Sequence, residues 1–288
     1  LNKYFSDDIE WDVYDPSWKT RLIVNCLGDL AGFSTISEQK ITEKQYDLAI
    51  ICSPPQFHQS NYDLIKNNAK KIFLEKPGFV NPLGTDNLYV GYVLRHSPCI
   101  VNMMKRIENK KLKKVTIEIR ANTVVEDGSG WRASSKGGGV VNEFGSHAIN
   151  LAKYLVGSEY SVTKFETSKV VSSNCADICN LTGITANGTL VEIYLNWSDN
   201  TVRKPAYNIT SSFDDDTKVV TDLYQIWNVS SQNDIVDVTG VAHWDSNCDF
   251  YIRGLEFSEQ AKYFSNNNDF STDLNDSVFT DKILKENA

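Results

Sequence analysis

The sequence predicts an α/β protein, in which a Rossmann-like, doubly wound parallel sheet is followed by an α+β domain with a large, mostly antiparallel open sheet. From residue 9 to residue 93, short apolar strands alternate with helical stretches, the pattern of parallel βαβ units. Beyond Arg95, strand-like runs follow one another with turn residues between them, which is typical of an antiparallel sheet. We therefore place a first domain at 1–95 and a second at 96–288.

The predicted strands of the first half are short and apolar. They lie at 9–14, 48–52, 72–74 and 88–94, and a helix is predicted at 56–68. Because a parallel strand under crossover helices has no polar face, the apolar run 72–74 indicates a strand buried on both sides. Glu75 and Lys76 come at its C-terminal end, where open α/β sheets bind ligands, and Pro77 fixes the backbone after them. Taken alone, this pair fits a solvated charge pair in a loop better than a site.

The second half begins with a helix and a long strand and ends with two helices. The predicted elements are a helix at 98–109, an alternating strand at 114–124, a helix at 141–156, strands from 162 to about 241, and helices at 255–264 and 276–285. Gly157 is the expected C-cap of the helix at 141–156.

The helix at 141–156 carries two stripes of different chemistry. Apolar residues recur at three- and four-residue spacing, at Val141, Phe144, Ala148, Leu151 and Leu155, and predict the buried stripe. Glu143, His147, Asn150 and Tyr154 form a second stripe, which puts the acid one turn from the imidazole. A carboxylate there can orient a histidine and stabilise its protonated form, as a general base requires, although a lone helical histidine is usually structural. The glycines at 137–139 permit close backbone approach to a ligand.

Charge and composition exclude several classes of protein. Lys and Arg total 29 against 37 Asp and Glu, the formal net charge is -8, and no basic block is present, so nucleic acid is not an expected partner. No apolar run reaches the roughly 18 to 20 residues of a membrane span and no signal-peptide pattern opens the chain, so a cytoplasmic protein without membrane contact is expected. The six cysteines and four histidines lack zinc-site spacing, which predicts free thiols and no metal.

Asp15, at the end of the first predicted strand, is a candidate cofactor residue. In a dinucleotide-binding unit, an acid at this position accepts hydrogen bonds from the adenosine ribose and repels a 2′-phosphate, which favours NAD over NADP. An Asp before Pro16 is equally a turn signal. The glycine fingerprint should lie about 20 residues upstream, but residues 1–14 contain no glycine and the chain begins with Leu1. We therefore expect a fragment lacking the first strand and glycine loop, or a chain that does not bind a dinucleotide in the usual way.

Five motifs, taken in order, resemble those of the Gfo/Idh/MocA family of oxidoreductases. They are DLAIICSPPQFH at 47–58, FLEKP at 73–77, GYVLRHSP at 91–98, WRASSKGGGVVNEFGSHAINLAKYLVG at 131–157 and FYIRGLEFSEQ at 250–260. The resemblance implies a Rossmann domain, an open-sheet domain and an active site between them. It also implies hydride transfer between NAD and a secondary alcohol or ketone of a sugar, cyclic polyol or nucleotide-sugar, by a homo-oligomer joined through the C-terminal sheet.

The resemblance also implies roles for individual residues. Lys76 would reach the nicotinamide and the reacting substrate oxygen, His147 would be the acid/base, and Glu143 occupies the position where many members have Asp. The residues that would contact the cofactor are Asp15, Ser53, Pro54, His58, Glu75, Lys76, Trp131 and Arg132. Arg95 and Asn150 are candidate substrate residues.

A different function remains open on the same fold. The absent glycines favour a non-catalytic sugar-sensing or regulatory protein, as do the thirteen residues between Pro77 and Gly91, which leave little room for a crossover helix. The combination of lysine, acid and histidine favours the enzyme, although the fragment itself is expected to be inactive if the glycine loop is lacking. A lyase that oxidises its substrate transiently would use the same site, and the sequence does not separate it from a dehydrogenase.

Overall fold

The computed structural model describes residues 10–31, 33–81, 87–123, 134, 137–240 and 254–287, and of residues 27–31 the backbone alone. Two small parallel sheets form the first part of the chain, and one sheet of eight strands forms the second. This is the fold class that the sequence predicts. Among these residues, no helix has the length and apolar character that crossing a membrane requires.

The parallel half is built from βα units in chain order. Its strands are β1 (Trp11–Val13), β2 (Phe33–Thr35), β3 (Tyr46–Ile51), β4 (Ala69–Leu74) and β5 (Leu88–Val90), and its helices are α1 (Trp18–Ala31), α2 (Glu38–Glu43) and α3 (His58–Ile65). β1 pairs with β2, while β3, β4 and β5 form a separate sheet in that order, all in parallel.

The short apolar strands of this half are buried to different degrees. In β5, Leu88, Tyr89 and Val90 are buried on both faces, whereas in β4 Ile72 and Leu74 are completely buried on one face and Phe73 is half-buried on the other. Strand β5 is shorter than predicted, because the chain turns after Val90 and a 3-10 turn occupies Val93–His96. A glycine is required in that turn, since a Cβ atom on Gly91 would lie 2.9 Å from the Phe73 ring.

The second half contains one sheet of eight strands, in the order β13-β12-β11-β10-β6-β9-β8-β7. The strands are β6 (Leu112–Arg120), β7 (Tyr160–Ser168), β8 (Ile178–Thr185), β9 (Leu190–Asn196), β10 (Ala206–Phe213), β11 (Lys218–Thr221), β12 (Gln225–Val229) and β13 (Ile235–Gly240). Neighbouring strands are antiparallel except β6 and β9, which run parallel. Alternate residues, such as Ile117 and Ile193, are buried on one face, as the alternating sequence predicts.

Beyond residue 95, the described part of the chain contains four α-helices. They are α4 (Pro98–Ile107), α5 (Ser146–Val156), α6 (Leu255–Asn266) and α7 (Ser271–Asn287), and a π-helix at Val141–Gly145 leads into α5. Helices α4 and α5 pack on the eight-stranded sheet, whereas α7 contacts both α5 and β5. Phe264 of α6 and Phe270 pack against Phe73 and Tyr89 of the parallel half. The C-terminal helices thus contact both halves, and the domain boundary after residue 95 stays a prediction.

Candidate active site

Two loops lie side by side at the C-terminal edge of the β3–β4 pair. Ile51 is opposite Leu74 in the parallel ladder, and the Glu75 amide donates a hydrogen bond of 2.9 Å to the Ile51 carbonyl. Ser53 follows β3 and Lys76 follows β4, so the two predicted site segments occupy adjacent loops. This is the edge at which open α/β sheets bind ligands.

Lys76 is held by both the main chain and the side chain of Glu143. Its Nζ lies 3.2 Å from Glu143 Oε2 and donates a hydrogen bond of 3.0 Å to the Glu143 carbonyl. The lysine side chain is 12% exposed and the glutamate side chain 27% exposed, so the ion pair is largely withdrawn from water. Because an ion pair is stronger where water is partly excluded, this contact fixes the ammonium at the end of β4.

Glu75 places a second carboxyl group beside the same lysine. Its Oε2 accepts a hydrogen bond of 3.3 Å from the Lys76 amide. Burial raises the pKa of Glu75 above its ordinary value, although the Lys76 ammonium opposes that rise. The strand end therefore carries one ammonium with carboxyl groups from Glu75 and Glu143 on either side.

A π-helix at Val141–Gly145 carries Glu143 to this ammonium. π-turns are wider than α-turns and often occur at functional sites. Gly139, just before the π-helix, has φ 58°, and a Cβ atom on it would lie 2.4 Å from the Ala176 carbonyl oxygen. The close backbone approach predicted for the glycines at 137–139 is, at Gly139, an approach to the chain itself and not to a ligand.

His147 lies one turn beyond Glu143, in the first turn of α5, and is half-buried. The predicted polar stripe assumed α-helical spacing throughout. The chain is π-helical up to Gly145, so Glu143 and His147 are not related by the rotation of a regular α-helix. The carboxylate of Glu143 pairs with Lys76 in this arrangement. The acid/base role of His147 stays a prediction.

His58 is completely buried between the two strand-end loops. Its Nδ1 lies 2.8 Å from the Pro77 carbonyl and 3.1 Å from the Gly78 carbonyl, and its Nε2 lies 2.8 Å from the Ser53 carbonyl. This arrangement gives no support to the predicted cofactor contact of His58, which stays a prediction, because its ring nitrogens face main-chain oxygens in the protein interior. The imidazole instead ties the loop after β3 to the loop after β4.

Asp15, Ser53 and Pro54 are half-buried at the ends of their strands. Asp15 Oδ1 accepts a hydrogen bond of 2.7 Å from the Ser17 amide at the start of α1, so the turn that the sequence allowed is present. Ser53 Oγ accepts a hydrogen bond of 2.8 Å from the Asn61 side chain. The positions of the three residues are compatible with their predicted cofactor contacts, which stay predictions.

Arg95 and Asn150 belong to a buried network with α7. Arg95 Nε donates a hydrogen bond of 2.6 Å to Asn150 Oδ1, and its guanidinium pairs with Asp276 at 2.6 Å and with Asp273 at 3.5 Å. The Asn150 amide in turn lies 3.2 Å from the Thr280 hydroxyl. The predicted substrate role of Arg95 and Asn150 gains no support from this arrangement, because these polar atoms are engaged in packing α5 against α7.

The pattern-based search missed Asp281, and two predicted residues lie outside the described chain. Asp281 of α7 accepts a hydrogen bond of 2.6 Å from the Phe79 amide, in the loop that carries Lys76. No local signal marks it, since it is an acid on a helix 202 positions after Phe79. Trp131 and Arg132 lie in the segment that the structure leaves undescribed.

Two groups at strand ends of the parallel half suit two of the three parts of a nicotinamide dinucleotide. A carboxylate at the end of β1 suits the adenosine ribose hydroxyls. The Lys76 ammonium suits the nicotinamide end, where charge develops on a substrate oxygen during hydride transfer. The pyrophosphate is ordinarily bound by a glycine loop, and residues 1–14 contain no glycine.

Solved structures of similar fold cover nearly the whole chain. Levoglucosan dehydrogenase in complex with NADH and levoglucosan has a TM-score of 0.76 at 12% identity, over 99% of this chain and 90% of that one. An oxidoreductase domain protein from Kribbella flavida has a TM-score of 0.74 at 14% identity, over 93% and 85%. UDP-N-acetylglucosamine 3-dehydrogenase from Acidithiobacillus ferrooxidans has a TM-score of 0.67 at 15% identity, over 93% and 86%. At these identities the likeness establishes the fold.

Sequence comparison assigns part of the second half. A comparison with curated proteins found no match. Residues 105–212, which run from the end of α4 to the end of β10, match the profile of the GFO/IDH/MocA C-terminal domain. The resemblance to the Gfo/Idh/MocA oxidoreductases is confirmed: the chain has their fold over nearly its whole length and carries their C-terminal domain at 105–212.

Proposed function

We propose that this protein is an NAD-dependent oxidoreductase that transfers hydride between the nicotinamide and a secondary alcohol or ketone of a sugar, cyclic polyol or nucleotide-sugar. The observation that carries the proposal is the Lys76 ammonium, fixed 3.2 Å from Glu143 at the C-terminal end of β4. The sugar and nucleotide-sugar dehydrogenases of similar fold support the substrate class, and the NADH bound to levoglucosan dehydrogenase supports the cofactor.

Bound NAD would supply the hydride acceptor, and the residues of the chain would manage the charge and the proton. Lys76 would donate a hydrogen bond to the substrate oxygen, where negative charge develops as hydride leaves the carbon. His147 would take the hydroxyl proton, and in the reverse direction it would return that proton to the alkoxide. Glu143 would hold the Lys76 side chain in place at the end of β4, through its carboxylate and its main-chain carbonyl. Asp15 would bind the adenosine ribose and disfavour NADP by repulsion of its 2′-phosphate.

Turnover of Lys76→Ala compared with that of Lys70→Ala tests the proposal. Lys70 is in β4, the strand that leads to Lys76, but its side chain is 78% exposed and pairs with an exposed acid, Asp47, so its loss changes only the surface. With NAD and a panel of sugars and polyols, we expect Lys76→Ala to lower kcat by about 100-fold or more and Lys70→Ala to leave it unchanged. Near-normal turnover in folded Lys76→Ala would refute the assigned role.

A sugar sensor on the same fold is the second candidate, because the thirteen residues between Pro77 and Gly91 leave little room for a crossover helix. Isothermal titration calorimetry separates the two functions. Binding of a sugar without binding of NADH, and without absorbance change at the nicotinamide wavelength, would select the sensor. Binding of NADH with oxidation of a sugar would select the enzyme, and analysis of the product would then separate a dehydrogenase from a lyase.

We also propose that the protein is a homo-oligomer joined through the eight-stranded sheet. The edge strand β13 supports this, since Ile235 and Val236 are each 63% exposed and Val238 is 54% exposed. Exposed apolar residues on an edge strand favour pairing with another chain. Multi-angle light scattering on the purified protein measures the assembly directly, and a monomer at all micromolar concentrations would contradict it.

A further inference from the structure

The loop that follows Lys76 is held from an unexpected direction, by the C-terminal helix. Asp281 of α7 accepts hydrogen bonds from two consecutive amides of this loop, Gly78 and Phe79, the latter at 2.6 Å. Helix α7 lies close to the main chain of this loop at Gly78. A Cβ atom on Gly78 would lie 2.6 Å from Ser277 Oγ and 3.0 Å from Asp281 Oδ2. The helix therefore rests directly on the backbone that carries the lysine.

The backbone conformation at this contact needs outside support. Phe79 has φ 50°, in the left-handed region that a bulky side chain rarely adopts. Such a residue is strained and persists only where neighbouring groups hold it. The carboxyl group of Asp281 does so from one side, by accepting the Phe79 amide. His58 does so from the other side, through the Pro77 and Gly78 carbonyls.

We propose that Asp281 is a positioning residue for Lys76, which holds the main chain at 78–79 and thereby sets where the ammonium lies. The inference concerns the lysine of the proposed active site and so rests on the proposed function for its biological meaning. Its physical content, the coupling between one helix and one loop, is independent of turnover.

The surroundings of Asp281 make this coupling sensitive to protonation. The side chain is 5% exposed, and its Oδ1 has no hydrogen-bond partner among the described residues. Burial raises the pKa of the Asp281 carboxyl to about 7, and the two amides and the Lys285 ammonium only partly oppose that rise. The groups that face it are Lys285 on its own helix, the Tyr92 hydroxyl after β5, and the main chain of the loop.

The direction of the pH effect follows from linkage. The pKa of Asp281 is raised while the loop at 78–79 is packed against α7. The protonated carboxyl group therefore stabilises this packed arrangement, and the stabilisation is lost as the pH rises through the raised pKa. We therefore expect the loop to be held most firmly below pH 6 and to open more often above pH 7. Lys76 would become more accessible in the same range.

Trace labelling of lysines by acetic anhydride, followed by mass spectrometry, tests this on the full chain without cofactor. The readout is the labelling rate of Lys76 divided by that of exposed Lys70. We expect the ratio to rise several-fold between pH 6 and pH 8 in the unchanged protein, and to be several-fold higher at pH 6 in Asp281→Ala. Asp281→Asn keeps an acceptor for the Phe79 amide but does not titrate, so its ratio should stay low and flat across this range.

Glu286→Gln is the matched control, because it removes an exposed carboxylate from the same helix and should leave the ratio and its pH profile unchanged. Circular dichroism and urea unfolding confirm that each variant is folded. If Asp281→Ala does not fold, the comparison of Asp281→Asn with the unchanged protein decides. Parallel pH profiles in those two proteins would overturn the proposal. Because the readout needs no substrate, a failure of the proposed enzyme activity would not be mistaken for a failure of the positioning role.

Discussion

Lys76 and Glu143 form the ion pair on which the proposed site depends, with 3.2 Å between Nζ and Oε2. The resemblance to a known family implied that the two residues share a site, and the ion pair brings their side chains together. His58, by contrast, is in the expected motif but is buried against carbonyls, because a side chain at a helix start can turn inward as easily as outward. The contact of Asp281 with the loop after Lys76 could not be predicted from the sequence, since main-chain amides carry no residue-specific signal.

His96 provides a pH-dependent prediction at the same scale. It accepts a hydrogen bond of 2.8 Å from the Tyr89 hydroxyl, which itself receives one from Gln260. Burial, with a smaller contribution from Arg95, lowers the pKa of His96 to about 4. The unfolded chain binds a proton near pH 6.5 and the folded chain does not, so stability is complete above pH 6.5 and falls as the pH decreases toward 4.

The measurement is urea unfolding at pH 7.5 and pH 5. We expect His96→Gln to remove the part of the acid sensitivity that comes from this histidine, up to about 3 kcal/mol between pH 6.5 and pH 4. The free energy of unfolding of the unchanged protein should fall more steeply over this range than that of the variant. Equal slopes in the two proteins would show that His96 is protonated without penalty.

At the scale of secondary-structure elements, the sequence predicted whether a segment is a helix or a strand better than it predicted the residues at which the segment begins and ends. Gly157 closes α5 with φ 69°, as a C-cap glycine should. The π-helix at Val141–Gly145 was read as the first turn of that helix, because an apolar stripe at three- and four-residue spacing does not distinguish a wider turn. Helix α1 was not located, and its exposed Trp18 and Ile23 explain why, since they interrupt any stripe facing a core.

The approach to the π-helix can be tested with two glycines that both have positive φ. At Gly157 nothing lies within 4 Å of an added Cβ atom. Gly157→Ala should therefore lower the free energy of unfolding only by the cost of a left-handed backbone at alanine, about 1 kcal/mol. At Gly139 the added atom would meet the Ala176 carbonyl at 2.4 Å, so we expect Gly139→Ala to cost at least about 2 kcal/mol more. Chemical unfolding of the two variants gives both numbers, and equal losses would contradict the close contact.

At the scale of the whole molecule, α7 joins the two halves through buried charge. Asp276 pairs with Arg95 at 2.6 Å and with Lys153 at 2.9 Å, so one carboxylate serves a residue after β5 and a residue of α5. The sequence predicted the two sheets, but not this connection. Ion pairs between residues this far apart in the sequence depend on how the two folded halves pack together. The periodicity of polar and apolar residues within either half does not predict them.

Removal of this charge should loosen both halves at once. We expect Asp276→Asn to lower the free energy of unfolding by about 3 kcal/mol, because it leaves the Arg95 guanidinium buried with less compensation. Hydrogen exchange should increase in β5 and in α5 together. Asp269→Asn, at an exposed position before α7, is the control and should change neither segment. Faster exchange confined to one half would show that the halves are held together by other contacts.

The position of Asp281 has a consequence for synthesis of the protein. Strand β4 and Lys76 leave the ribosome early, and domains generally fold in the order in which they are made. The Phe79 amide has to wait for Asp281, which is translated 202 residues later. A nascent chain that has not yet produced α7 therefore contains Lys76 without the contact that we propose positions it, so this loop reaches its final arrangement only after α7 has been synthesised.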